Sequence, residues 1–183
     1  MESPLKRCFI AIDLPRDAIN EIKRIQKLIE KQRLFAGKFT EPENLHLTLK
    51  FLGEISDDKI EEVGERLKKI KFEKFNAELG EVGVFSKQFI RIIWIKLNGK
   101  VFGLQKSVDE SLEGLFEKEE RFMSHITIAR VKNIADKKKL IEYLENINPS
   151  KISFKVEKFY LKKSELTSEG PVYEDAAEFN LGK

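Results

Sequence analysis

His46 and His125 are the only two histidines in the chain, and each opens the same four-residue pattern: His46-Leu47-Thr48-Leu49 and His125-Ile126-Thr127-Ile128. On an extended strand successive side chains point to opposite faces. Each His therefore shares a face with its Thr, while the aliphatic residues turn the other way. Two such strands set across a cleft bring together two imidazoles and two hydroxyls. Imidazole titrates near ~6.5, so one ring can be neutral while the other is charged at the same pH. The neutral ring can take a proton from an attacking water, and the charged ring can give one to a departing oxygen. The hydroxyls can donate to the non-bridging oxygens of a phosphate, where charge builds in the transition state. The bland alternative is two ordinary histidines and two threonines chosen for strand preference. The matched setting of both pairs favours the chemistry.

The spacing of these motifs belongs to a longer repeat. His46 and His125 are 79 positions apart, as are Ser56 and Ala135, and again Phe75 and Phe154. Upstream, Arg7 and Arg91 are 84 apart, a small insertion in the intervening loops. The first half reads as a strand over residues 7–13, then a helix with Ile19, Ile22, Ile25, Leu28 and Ile29 at three- and four-residue steps. Strict alternation returns over residues 45–51. Ser56 then caps a second helix, with Ile60, Val63, Leu67 and Ile70 on its apolar face. The second half predicts the same order: a strand over 91–97, and a helix with Val101, Leu104, Val108, Leu112 and Leu115. A strand over 124–130 follows, and then a helical face of Leu140, Ile141, Leu144 and Ile147. Two copies are too few for a solenoid. They predict a single α+β domain of two pseudo-symmetric lobes, repeats roughly 7–86 and 91–165, each lobe presenting one His/Thr pair. No Gly/Ser-rich tract separates the halves, so the lobes should pack closely.

Other residues are weaker candidates. Lys50, two beyond Thr48, continues the cleft face and can meet phosphate charge, although a solvated lysine is the commoner case. Phe51 and Tyr173 can stack on a base or simply pack. Trp94 and Cys8 read as core. No Gly-x-x-x-x-Gly-Lys loop appears, so a nucleotide-hydrolysing ligase has no visible cofactor site.

Composition excludes little but sets bounds. The chain has 183 residues, 41% of them hydrophobic and 36% charged, which suits one globular domain with a real core. A net charge of +3 neither demands nor excludes nucleic acid, because a local patch matters more than the total. With one Cys and two His, a zinc site would need carboxylates for most of its ligands, so no metal and no cofactor are expected. The single Cys8 forms no intramolecular disulfide and points to no oxidising compartment. Residues 1–7 are polar and lead into a strand rather than a signal peptide, and no apolar run is long enough to cross a bilayer. A cytoplasmic location, with no membrane partner, is the expectation.

These features together resemble the 2H phosphoesterase superfamily, and within it the bacterial and archaeal RNA 2′,3′-cyclic phosphodiesterases long called 2′-5′ RNA ligases. The resemblance rests on Arg7-Cys-Phe-Ile-Ala-Ile-Asp-Leu-Pro15 and on Glu43-Asn-Leu-His-Leu-Thr-Leu-Lys-Phe-Leu-Gly53. It continues through Gly83-Val-Phe85, Ser124-His-Ile-Thr-Ile-Ala-Arg130 and Gly170-Pro-Val-Tyr173, in the family's order over nearly the whole chain. It implies two lobes flanking a cleft, each an antiparallel sheet with helices outside. It implies that His46 gives a proton to the leaving 3′ oxygen, that His125 takes one from water, and that the product is a 2′-phosphomonoester. Arg130 belongs to the matching motif and is a natural phosphate ligand. Strict alternation from His125, however, puts it on the opposite face unless the strand ends or bulges first. Ser124 departs from the family, where Pro is frequent, and predicts a less rigid approach to the second histidine.

The sequence thus predicts an RNA end bearing a 2′,3′-cyclic phosphate as substrate, with tRNA fragments and 2′-5′-linked oligonucleotides among the candidates. One chain completes the site, so a monomer suffices. Two other readings stand beside hydrolysis: 2′-5′ ligation in the same cleft, and a non-catalytic module that holds a nucleotide or RNA end.

Overall fold

The computed structural model describes residues 4–168 and 170–182. The first half of the chain forms β1 (Lys6–Asp13), α1 (Arg16–Gln32), β2 (Phe35–Phe39), a 3₁₀ turn (Pro42–Asn44), β3 (His46–Ile55), α2 (Asp57–Leu67) and β4 (Phe75–Val84). Then come β5 (Ile92–Asn98), α3 (Val101–Ser111), β6 (His125–Ile134) and α4 (Lys137–Glu145). The chain closes on β7 (Ser153–Val156), β8 (Lys158–Leu166) and β9 (Pro171–Asn180). No helix among the described residues is long and apolar enough to cross a membrane.

The α+β class is as expected, and the strands curl into one sheet in the order β7-β4-β5-β6-β3-β1-β8-β9, with β2 beside β6. Every pairing between these strands is antiparallel. The lobes are the two ends of this order, and they meet where Leu47 of β3 pairs with Ile126 of β6. The expected two sheets are therefore joined at the middle, through that single pair.

The lobes do not coincide with the sequence halves. β4, from the first half, pairs with β5, and β8, from the second, pairs with β1. The helices cross over in the same way: α1 packs on β6 and α3 on β3. This exchange interlocks the two halves.

Local signals explain the helices. Ala18, Ile22, Ile25 and Ile29 of α1 are buried, matching the three- and four-residue steps. The Ser56 hydroxyl caps α2 by accepting from the Lys59 amide at 3.4 Å, and Asp136 caps α4 by accepting from the Lys139 amide at 3.0 Å. Ile70, Leu115 and Ile147, expected on helical faces, lie past the helix ends and pack against the core from the following turns. The aliphatic partners in the two motifs, Leu47, Leu49, Ile126 and Ile128, are buried under the helices as alternation requires.

Candidate active site

With Leu47 and Ile126 paired and pointing inward, the residues on either side of them face the other way. His46, Thr48, His125 and Thr127 all line one cavity of about 400 Å³. The strands bring the two motifs together at the one place where the lobes join.

Each ring is anchored through the same nitrogen. His46 Nδ1 lies 2.7 Å from the carbonyl oxygen of Asn44, and His125 Nδ1 lies 2.8 Å from that of Met123, in both cases two residues back. A carbonyl only accepts, so Nδ1 carries the hydrogen and Nε2 is the nitrogen left for proton transfer. In the neutral ring Nε2 is an acceptor, and the Thr48 hydroxyl 3.0 Å away donates to it. Burial is the main cause that holds both imidazoles below their ordinary range, and the anchoring carbonyls oppose it. For His46, Lys162 and His125 lower the value further, while Asp13, its cross-strand neighbour, raises it.

Aromatic rings hold the imidazoles from the side. Phe9 packs on His46 with centroids 4.9 Å apart, and Tyr173 meets both edge-on at 5.2 Å from His46 and 4.9 Å from Phe9. Phe85 meets His125 edge-on at 4.8 Å. Burial raises the Tyr173 hydroxyl above its usual value. A Cβ at Gly83 would lie 2.5 Å from the Trp94 ring, so glycine lets β4 pass close to Trp94, whose ring lies 6.0 Å from that of Phe85. Trp94 is buried, as expected of a core residue. The Ser124 hydroxyl donates to the Leu97 carbonyl at 2.5 Å, so the approach to His125 is pinned by a side chain rather than by a proline ring.

Two bulges decide which further residues reach the cavity. Along β3, Ile10 pairs with Lys50 but Ala11 pairs with Thr48, so Leu49 is an extra residue. Along β6, Ile93 pairs with Ala129 but Trp94 pairs with Thr127, so Ile128 is the extra one. An inserted residue shifts the alternation by one and re-aims everything beyond it. Arg130 therefore turns to the cavity, as does Phe51, which is 68% exposed. The possibility of a bulge before Arg130 is the one realised. Gly37 accommodates it, since a Cβ there would come within 2.1 Å of the Arg130 carbonyl oxygen.

The same shift corrects the expectation for Lys50. It does not continue the cleft face; it is 5% exposed and ion-paired with Asp109 of α3 on the opposite side of the sheet. Period-two reading placed it in the cleft because the extra residue at Leu49 is invisible to alternation. Tyr173, a weak candidate, lines the cavity and packs against His46 and Phe9. The wall also includes residues that motif reading passed over, among them Arg7, Lys38, Thr40 and Glu41. Lys38 and Glu41 form an ion pair at 2.6 Å. Arg7 and Phe9 stand in the first quoted motif, but only the folded β1 shows that they face inward.

This arrangement offers two proton-transfer nitrogens, two hydroxyls and a guanidinium around a space that fits a phosphate. Among the described residues, no group of three or more His, Cys, Asp or Glu side chains is gathered to hold a metal ion.

A curled antiparallel sheet with outer helices and two His-x-Thr strands meeting over one cavity is the architecture of a paired-histidine phosphoesterase. The chain belongs to the LigT-like phosphoesterase family, whose model matches residues 12–94 and 96–173. It is 37% identical to the RNA 2′,3′-cyclic phosphodiesterase of Methanocaldococcus jannaschii over 92% of this chain and 96% of that one. It is 34% identical to the protein of the same name from Methanothermobacter thermautotrophicus, over 96% and 98% of the two chains. Among solved structures, TT0787 of Thermus thermophilus superposes with a TM-score of 0.77 at 28% identity, covering 95% of this chain and 97% of that one. The apo form of Escherichia coli LigT gives 0.80 at 23% identity, covering 99% and 100%, and supports the fold.

Proposed function

We propose that the chain hydrolyses the 2′,3′-cyclic phosphodiester at an RNA end to a 2′-phosphomonoester, with His46 and His125 as its acid–base pair. The observation that carries this reading is the twofold anchoring of Nδ1, which leaves both Nε2 atoms for one cavity shared with Thr48, Thr127 and Arg130. Water attacks phosphorus as His125 Nε2 takes its proton. The bond from phosphorus to the 3′ oxygen breaks, and His46 Nε2–H protonates that oxygen. Thr48 and Thr127 donate to the non-bridging oxygens, and Arg130 balances the phosphate charge.

Burial disfavours the charged imidazole that this scheme needs, and the substrate corrects it. A phosphodiester anion beside Nε2 favours the protonated ring, so one histidine takes up its proton as the substrate enters. The names of the relatives support the choice of a cyclic phosphate at an RNA end. The reading also treats residues 7–86 and 91–165 as two copies of one unit within a single domain, acting as a monomer in the cytoplasm.

The deciding experiment incubates the protein with an oligonucleotide ending in a 2′,3′-cyclic phosphate, with and without a second RNA carrying a free hydroxyl. Release of a 2′-phosphate end in both arms is the expected result. Joining in the second arm would establish ligation, and retention without turnover would reduce the site to a binding module.

A further inference from the structure

The two bulges that aim Arg130 and Phe51 are each backed by buried polar side chains from the helix that crosses over from the other half. Behind β6, Gln26 of α1 is buried and donates through Nε2 to the carbonyls of Ile128 at 2.9 Å and Thr40 at 2.8 Å. Ile128 is the extra residue of the bulge, and its carbonyl also accepts from the Thr40 amide at 3.0 Å. Behind β3, Lys50 follows the extra residue and bonds Asp109 Oδ1 at 2.5 Å and the Glu117 carbonyl at 2.7 Å. Asp109 Oδ2 in turn accepts from Gln105 Nε2 at 2.6 Å and from the Glu119 amide at 3.2 Å. Gln26 and Gln105 are 79 positions apart, the spacing of the two histidines.

These groups are more than packing. A buried amide or ion pair costs desolvation that aliphatic residues of like volume would avoid, and such residues surround both. What they supply is direction. Gln26 ties the carbonyl of the inserted residue, two positions before Arg130, to a rigid helix. Lys50 and Asp109 tie β3 to residues 117–119, on the loop that delivers Met123 and His125.

We infer that Gln26 is a positioning residue for Arg130, and that Lys50, Asp109 and Gln105 position Phe51 and the approach to His125. The inference rests on the proposed phosphoesterase reading but is tested apart from it. Gln26→Leu and Arg130→Gln are compared singly and combined, through kcat/KM on the cyclic-phosphate oligonucleotide and through the Kd of inorganic phosphate. Gln26→Leu should lose about 10-fold in an otherwise unchanged chain, the scale of a lost hydrogen bond. It should lose less than about 2-fold when Arg130 is already gone, because coupled residues are not additive. Equal losses in both backgrounds would overturn the role of Gln26. Phosphate binding without hydrolysis by the unmodified protein would remove the functional reading and leave this cycle readable.

The second arm replaces both charges at once, with Lys50→Met and Asp109→Leu combined, so that neither is stranded. The expected result is a chain that still folds, with kcat down about 10-fold through His125 and KM raised through Phe51. It should melt below the parent, because the Glu117 carbonyl, the Gln105 amide and the Glu119 N–H lose their partner. Parent-like kcat would show that the pair serves stability alone and would overturn its positioning role.

Discussion

Phe51 and Arg130 occupy the same place in the two motif strands, each two residues beyond a bulge and 79 positions from the other, and both line the cavity. The pseudo-symmetry of the strands thus ends in unlike side chains, an aromatic ring on the His46 side and a cation on the His125 side. In the proposed mechanism this asymmetry sets apart two otherwise equivalent histidines.

Arg130→Gln should reduce kcat/KM by about 10–100-fold, the range for a lost charge-assisted hydrogen bond. Phe51→Ala leaves the phosphate contacts intact and should act mainly on KM. Steady-state kinetics on a cyclic-phosphate oligonucleotide checks both. An Arg130→Gln enzyme within 2-fold of the parent would return Arg130 to a solvated role.

His46→Ala and His125→Ala should each remove about 10²–10⁴-fold of the turnover, and the double variant should be little worse than either. The profile of kcat/KM against pH should be bell-shaped. Both free rings titrate below the ordinary imidazole value near ~6.5, so its optimum should lie on the acid side of neutral. The bound anion raises the acid's pKa, so the falling limb of kcat should sit at higher pH than that of kcat/KM. Coincident limbs would count against uptake of the proton with substrate.

Thr48→Val and Thr127→Val keep shape and strand preference but remove the hydroxyls. Each should lower kcat by about 10²–10³-fold if the hydroxyl donates to phosphate in the transition state. Thr48 also bonds His46 Nε2 in the free protein, so only Thr48→Val should alter the His46 titration seen by NMR.

Burial of the histidines links stability to pH. The folded pKa of each lies below the unfolded value near ~6.5, so the unfolded chain holds more protons in that interval. Their contribution is complete above about 6.5 and declines as the pH falls through the folded values. Denaturant midpoints measured from pH 7 down to 5 should fall less steeply in the His46→Gln/His125→Gln variant than in the parent. Parallel slopes would contradict the depressed titration.

Activity should survive EDTA, since the scheme needs only imidazole, hydroxyl and guanidinium groups. Loss of turnover on chelation, restored by a divalent ion, would exclude it.

The residue types and spacing alone pointed to the proposed chemistry and gave most of the frame. Two histidines in matched four-residue patterns, 79 positions apart, located the proposed acid–base pair before any fold was known. Alternation and three- and four-residue steps gave the motif strands and all four helices, because those periods follow from local backbone geometry. β2, β8 and β9 were not legible as separate strands, since their residues carry no clean apolar alternation and their partners lie far away in the chain.

Tertiary structure decided what depends on pairing. Whether a residue is skipped opposite a neighbouring strand is a property of two strands, not of one. Leu49 and Ile128 therefore look like ordinary core positions in the sequence, yet as bulges they send Lys50 inward and Arg130 outward. The exchange of α1 and α3 between lobes was equally hidden, because an amphipathic stripe states that a face is buried and not against which strand. That exchange sets Gln26 behind β6 and Asp109 behind β3, where each meets a partner at least 59 residues away in sequence.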